Sequence, residues 1–147
     1  MAAVMNDMRF DEQVAVITGA GRGLGKQYAL LLAARGARIV VNDLGGSVTG
    51  VGAEKDTAHA TAREINDQGG EAVADVNSVA TPEGGQAIID TALQTWGRVD
   101  ILVNNAGTVS DSVFDDMTDA RREPAPGRPS EGRFLRNPAC VEGDAAA

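Results

Sequence analysis

Cysteine, histidine and aromatic side chains are nearly missing from this 147-residue chain, which has one Cys, one His and only 3% Phe, Trp and Tyr. Cys140 alone cannot close an internal disulfide or build a thiolate zinc site, and His59 alone excludes a multi-histidine centre. No metal site is expected, and a reducing, cytoplasmic setting fits the cysteine usage. Basic charge is scarce too: 13 Lys plus Arg against 21 Asp plus Glu leave a net charge of -8. A binder of nucleic-acid backbone needs the opposite balance, so nucleic acid drops out as a partner. Long apolar runs are lacking as well. No segment approaches the roughly 18 uninterrupted apolar residues of a membrane helix, and the opening MAAVMNDMRFDEQ has no apolar signal core.

Glycine is what the chain has in quantity, with 18 residues gathered where short apolar runs end. Val14 to Thr18 forms such a run, and Leu24, Tyr28, Leu31, Leu32 and Arg35 follow at helical spacing up to Gly36. The pattern recurs. Ile39 to Val41 reads as a strand, 43–52 as a glycine-bearing loop, and 53–68 as a polar, Ala-rich helix before Gly69-Gly70. Glu71 to Val76 reads as a third strand, Pro82 opens a helix carrying Ile88, Ile89, Leu93 and Trp96, and Ile101 to Val103 is a fourth strand ending at Asn104. Strands alternating with helices demand parallel pairing through right-handed crossovers. The expected fold is therefore α/β, the N-terminal part of a Rossmann-like doubly wound sheet with four strands in order 3-2-1-4.

The first strand runs into Thr18-Gly19-Ala20-Gly21-Arg22-Gly23-Leu24-Gly25, which opens the first helix. Unpaired N–H groups and the helix dipole favour a pyrophosphate there. A P-loop would need Gly and Ser or Thr where Ala20 and Gln27 stand, and G-x-G-x-x-G begun at Gly19 ends on Leu24. What fits is T-G-x-x-x-G-x-G. Asp43 ends the second strand, where a carboxylate can accept both hydroxyls of an adenosine ribose and would repel a 2'-phosphate. NAD is thereby favoured over NADP, although Arg22 in the glycine turn argues weakly the other way. His59 falls on a polar helical face and is assigned no role, like Cys140, Ser110, Asp111 and Ser112.

The glycine spacing resembles that of the short-chain dehydrogenase/reductase family of NAD(P)-dependent enzymes. Asp75-Val76 resembles its adenine-contacting pair, and Asn104-Asn105-Ala106-Gly107 its N-N-A-G signature. The resemblance implies cofactor contacts from Thr18, Gly19, Arg22, Gly23, Leu24, Gly25, Asp43, Asp75, Val76, Asn104, Ala106 and Gly107. A narrower resemblance, carried by VVNDLGGSVTGVG, EAVADVNSV, GRVDILVNNAG and SVFDDMT, is to the (3R)-hydroxyacyl-CoA dehydrogenase branch of that family found in peroxisomal multifunctional enzymes and in bacteria. It implies oxidation of a secondary alcohol on a 3-hydroxyacyl-CoA or hydroxysteroid, in an enzyme that is usually homo-oligomeric. Family chemistry uses a Tyr, a Lys four residues later that lowers its pKa, and a Ser that orients the substrate. Here the one Tyr is Tyr28, and Leu32 stands four residues on. No catalytic residue is assigned, so a non-catalytic nucleotide-binding module and an inactive truncated product stand beside the enzyme reading.

The resemblance fades at Thr118. Residues 1–119 carry 8 Lys plus Arg and 17 Asp plus Glu, whereas 120–147 carry 5 and 4 together with four of the five prolines. The division expected is a partial NAD-binding domain over 1–119 and an irregular tail over 120–147 that cannot build its own core. Reverse translation of Arg128 to Ala145, with wobble bases chosen freely and read one base on, gives Val-His-Leu-Lys-Gly-Ala-Ser-Phe-Val-Thr-Gln-Pro-Ala-Trp-Arg-Ala-Met-Arg. That string resembles the family's next helix, and the tail is read as out of frame.

Overall fold

The computed structural model describes residues 8–45 and 56–107. Seven elements follow in strict alternation: β1 (Val14–Thr18), α1 (Gly23–Ala34), β2 (Arg38–Asn42), α2 (Thr57–Asp67), β3 (Glu71–Asp75), α3 (Pro82–Trp96) and β4 (Ile101–Val103). The four strands form one parallel sheet in order β3-β2-β1-β4, as the alternation requires. The Val14-Ala15-Val16-Ile17 and Ile39-Val40-Val41 runs are apolar without interruption because both faces of these strands are covered. Ala15, Ile17, Ile39 and Val41 pack beneath α1 and α2 with Ala29, Ala58, Ala62 and Ile65. Val14, Val16 and Val40 point the other way, against Ile88, Ile89 and Ala92 of α3.

Register aligns the carboxyl ends of the strands. Thr18 lies opposite Asn42 and Asn42 opposite Asp75, while Ile17 pairs with Val103 and so sets Asn104 level with Thr18. The four segments carrying the expected site residues therefore leave the sheet along one rim.

One strand ends earlier than expected, and one helix turns an apolar stripe outward. The third strand stops at Asp75, leaving Val76 exposed beyond it. In α1 the stripe of Leu24, Tyr28 and Leu31 faces solvent, at 68%, 40% and 51% exposure, and the buried residues are Gly25 and Ala29. Small side chains face the sheet because the helix must start close enough for its first turn to touch the end of β1. Of the expected elements, the N-terminal part of the 53–68 helix and the tail fall outside the described residues, as do Ser110, Asp111, Ser112 and Cys140.

Candidate nucleotide site

The turn after β1 is held by two sets of bonds, one on each side. From β4, the Asn105 side-chain amide donates to the carbonyls of Thr18 and Gly19 at 3.0 and 3.2 Å. The Thr18 hydroxyl accepts from the backbone N–H of Asn105 and of Ala106 at 3.1 and 3.0 Å. Thr18 is thus a buried clamp between two strand ends, and Asn105 does the bridging while Asn104 stays exposed. From β2, the Asp43 carboxylate accepts from Gly21 N–H at 3.0 Å through Oδ2 and from Gly45 N–H at 2.9 Å through Oδ1.

Glycine is required where these bonds draw the backbone together. Gly19 has φ +65, and a Cβ there would lie 3.0 Å from Ala106 Cα. A Cβ on Gly25 would overlap the carbonyl oxygen of Gly19 and come 2.5 Å from Asn105 Nδ2. Around Gly23 and Gly107, by contrast, a Cβ would meet nothing within 4 Å among the described residues.

The first turn of α1 opens beside Gly23. Helix α1 has no side-chain cap bond and no acidic residue in its first turn. Its earliest N–H groups have no acceptor within the helix, which leaves them to an anion. The contrast is α3, where the Thr81 hydroxyl accepts from Gly84 N–H at 3.1 Å, Pro82 removes one donor and Glu83 answers the dipole. Arg22 is the half-buried N-cap residue of α1. Lys26, which a P-loop would aim at phosphate, instead meets Glu64 of α2 at 2.7 Å.

Asp75 occupies the far end of the rim and is 5% exposed. Its Oδ1 accepts from Asn42 Nδ2 at 2.7 Å and Asn77 N–H at 2.9 Å. Its Oδ2 accepts from Asn77 Nδ2 and the Thr91 hydroxyl, both at 2.8 Å. Four donors fill the roughly four lone-pair positions of a carboxylate. The surface left for a ligand at this end is that of Val76, 47% exposed.

Asn42, Thr61 and Thr91 carried no signal in the sequence, because the partners that tie them to the rim or the turn lie 16 to 40 residues away. The doubled Asn of N-N-A-G was the one available signal, and it did not tell which Asn bridges. His59 is on the surface of α2, 3.3 Å from Asp56. Among the described residues no group of His, Cys, Asp and Glu could hold a metal ion, and no helix is long and apolar enough to cross a membrane.

A parallel sheet in order 3-2-1-4 with helices on both faces, a glycine-bearing turn opening the first helix and a carboxylate just past the second strand defines a fold of the Rossmann type. Residues 13–124 match the short chain dehydrogenase family, and the chain belongs to it. The peroxisomal multifunctional enzyme type 2 of Drosophila melanogaster is 54% identical over 111 residues, which cover 76% of this chain and 18% of that enzyme. Among solved structures, a short chain dehydrogenase from Mycobacterium avium superposes with a TM-score of 0.66 at 42% identity, over 76% of this chain and 40% of its own. A 7α-hydroxysteroid dehydrogenase complexed with NADH and 7-oxo glycochenodeoxycholic acid gives 0.67 at 37% identity, over 80% and 42%. The chain spans less than half the length of each of these relatives.

Proposed function

We propose that this chain is the NAD-binding portion of a short-chain dehydrogenase whose parent reaction is NAD-dependent oxidation of a secondary alcohol, of the 3-hydroxyacyl-CoA or hydroxysteroid type. The observation that carries the reading is the state of Asp43. Two backbone N–H groups fix its carboxylate beside the glycine turn, at 3.0 and 2.9 Å. About two lone-pair positions remain, the number needed to accept the two hydroxyls of an adenosine ribose. A 2'-phosphate would put like charges in contact, so NAD is preferred to NADP.

The remaining roles follow the rim. N–H groups of Gly23, Leu24 and Gly25 meet the pyrophosphate, with Arg22 beside it. Gly19, Ala106 and Gly107 let the cofactor approach the backbone, and Thr18 holds that approach in place. Val76 meets the adenine while Asp75 positions its backbone, and Asn104 lies toward the nicotinamide side. When bound, the cofactor supplies the hydride acceptor. The residues of this chain bind and orient it.

Chemistry needs more than binding. A positioned acid or base is worth about 10²- to 10⁴-fold. The one Tyr lies on the outer face of α1, with Leu32 four residues later. This favours a nucleotide-binding module without turnover for the chain itself. In the same reading residues 1–119 are the partial domain and 120–147 an out-of-frame tail, and the single cysteine suits the cytoplasm. Resequencing the codons for Thr118 to Arg128 tests the frame. The functional test is NADH production from a panel of 3-hydroxyacyl-CoA esters and hydroxysteroids, comparing this chain with one whose frame is restored after Thr118 and extended to a whole domain. Only the restored protein should turn over. Turnover by the chain itself would overturn the reading.

A further inference from the structure

We propose that Thr61, on α2 and outside every motif considered above, is a positioning residue for nucleotide selectivity: its hydroxyl holds Gly21, and Gly21 holds Asp43. The proposal rests on Asp43 being the ribose acceptor. Thr61 is 0% exposed, and its Oγ1 donates to the carbonyl of Gly21 at 3.1 Å. The N–H of the same glycine donates to Asp43 Oδ2 at 3.0 Å. One residue thus joins a helix hydroxyl to the selective carboxylate, through its two backbone polar groups.

Two features make the Thr61 hydroxyl more than a filler. A threonine inside a helix commonly bonds back to the carbonyl four residues earlier, as Thr95 does to Thr91 at 2.7 Å. Thr61 reaches instead across 40 residues to the turn. The fit around Gly21 is also closed: a Cβ there would lie 2.6 Å from Thr57 Oγ1 and 2.7 Å from Asp43 Oδ2. Thr57 and Thr61, one helical turn apart, therefore set α2 directly against the turn.

Glycine lacks the side chain that would otherwise restrict its backbone. Without the Thr61 bond the buried Gly21 carbonyl has lost its partner, and the flanking peptides can rotate to find another. The Gly21 N–H then leaves Asp43, whose carboxylate keeps only Gly45 and turns away from the geometry that suits a ribose diol. NADP gains nothing from that geometry, so the loss falls on NAD.

The test uses the full chain as Thr61→Val, which keeps shape and removes the hydroxyl, and Thr61→Ser, which keeps the hydroxyl. Calorimetric titration with NAD and with NADP, alone and in combination with Asp43→Ala, should show Thr61→Val losing about tenfold in NAD affinity and less in NADP affinity. Thr61→Ser should retain the preference, and Thr61→Val should add nothing further once Asp43 is Ala. Amide hydrogen exchange supplies an arm that needs no ligand. Gly21 N–H should lose protection in Thr61→Val and keep it in Thr61→Ser, with Val16 and Val40 unchanged as reporters of the fold. A purely structural Thr61 would lower protection at Val16 and Val40 as well and leave the NAD-to-NADP ratio alone, and that result overturns the proposal. So do equal, additive losses in the Asp43→Ala background, or Gly21 protection that ignores the hydroxyl. If the unmodified chain binds neither nucleotide, the ribose reading fails and the selectivity role with it. The exchange arm then still decides whether Thr61 is coupled to Asp43 through Gly21.

Discussion

Asp75 shows how a residue placed at a ligand rim can be used up by its own protein. Its carboxylate is buried and accepts from Asn42, Asn77 twice and Thr91. These donors come from β2, from the turn after β3 and from α3, so one side chain ties a strand end to the helix on the opposite face. Replacing an acceptor-only group by one carrying an NH₂ leaves donor facing donor. Asp75→Asn should therefore cost about 2–3 kcal/mol of stability, read as a lower urea midpoint at unchanged slope. A midpoint within experimental error of the unmodified chain would show the network to be dispensable. The same comparison explains what could be read in advance. Asp43 was legible because the end of the second strand in an alternating fold has one known neighbour, the first turn. Asn77 apart, the side-chain partners of Asp75, Asn105 and Thr61 lie 16 to 87 residues away in the chain, and local pattern holds no information on such pairs.

Elements were more legible than their orientations. Apolar runs, glycine stops and Pro82 located all seven, because burial on two faces and capping chemistry act within a few residues. The spacing of Leu24, Tyr28, Leu31 and Leu32 located α1 without fixing its inward face: Leu32 packs against the core, whereas Gly25 and Ala29 are the fully buried positions, since close approach outweighs apolar area there. Element ends also carry a titration effect. The turn from α3 into β4 is fastened to the start of β1: Asp100 accepts from Val14 N–H at 2.8 Å and from Arg98 Nε and Nη2 at 2.9 and 2.6 Å. The Arg98 hydrogen bonds, then the Val14 N–H and the Arg98 charge, hold the Asp100 carboxyl below its ordinary 3.8 against some desolvation. A folded-state value lower than the unfolded one means stability that is fully present above about 3.8 and is lost as pH falls through the folded value. Exposed Asp11, paired with Arg9, acts with the same sign and little weight. The urea midpoint should fall as pH drops below about 4, less steeply in Asp100→Asn, and equal slopes for the two proteins would remove Asp100 from the account.

At the scale of the whole molecule, the described residues leave two strand edges and one helix face on offer. Strand β4 pairs with β1 alone and β3 with β2 alone, and α1 exposes Leu24, Tyr28 and Leu31 along one side. Open strand edges and an exposed apolar stripe promote self-association. Light scattering should find mass rising with concentration, and Tyr28→Lys with Leu31→Lys should reduce the rise. A mass independent of concentration in the unmodified chain would count against this. Tyr28 and Leu31 lie beyond the first turn of α1, so these substitutions leave in place the rim where Gly21, Asp43 and that turn meet. The central claim is that this portion of a short-chain dehydrogenase holds NAD by a carboxylate its own backbone has set in place. Calorimetric titration of the full chain with NAD and with NADP tests it most directly. The account predicts saturable binding of NAD, with NADP at least tenfold weaker; equal affinities, or no binding of either, would contradict it.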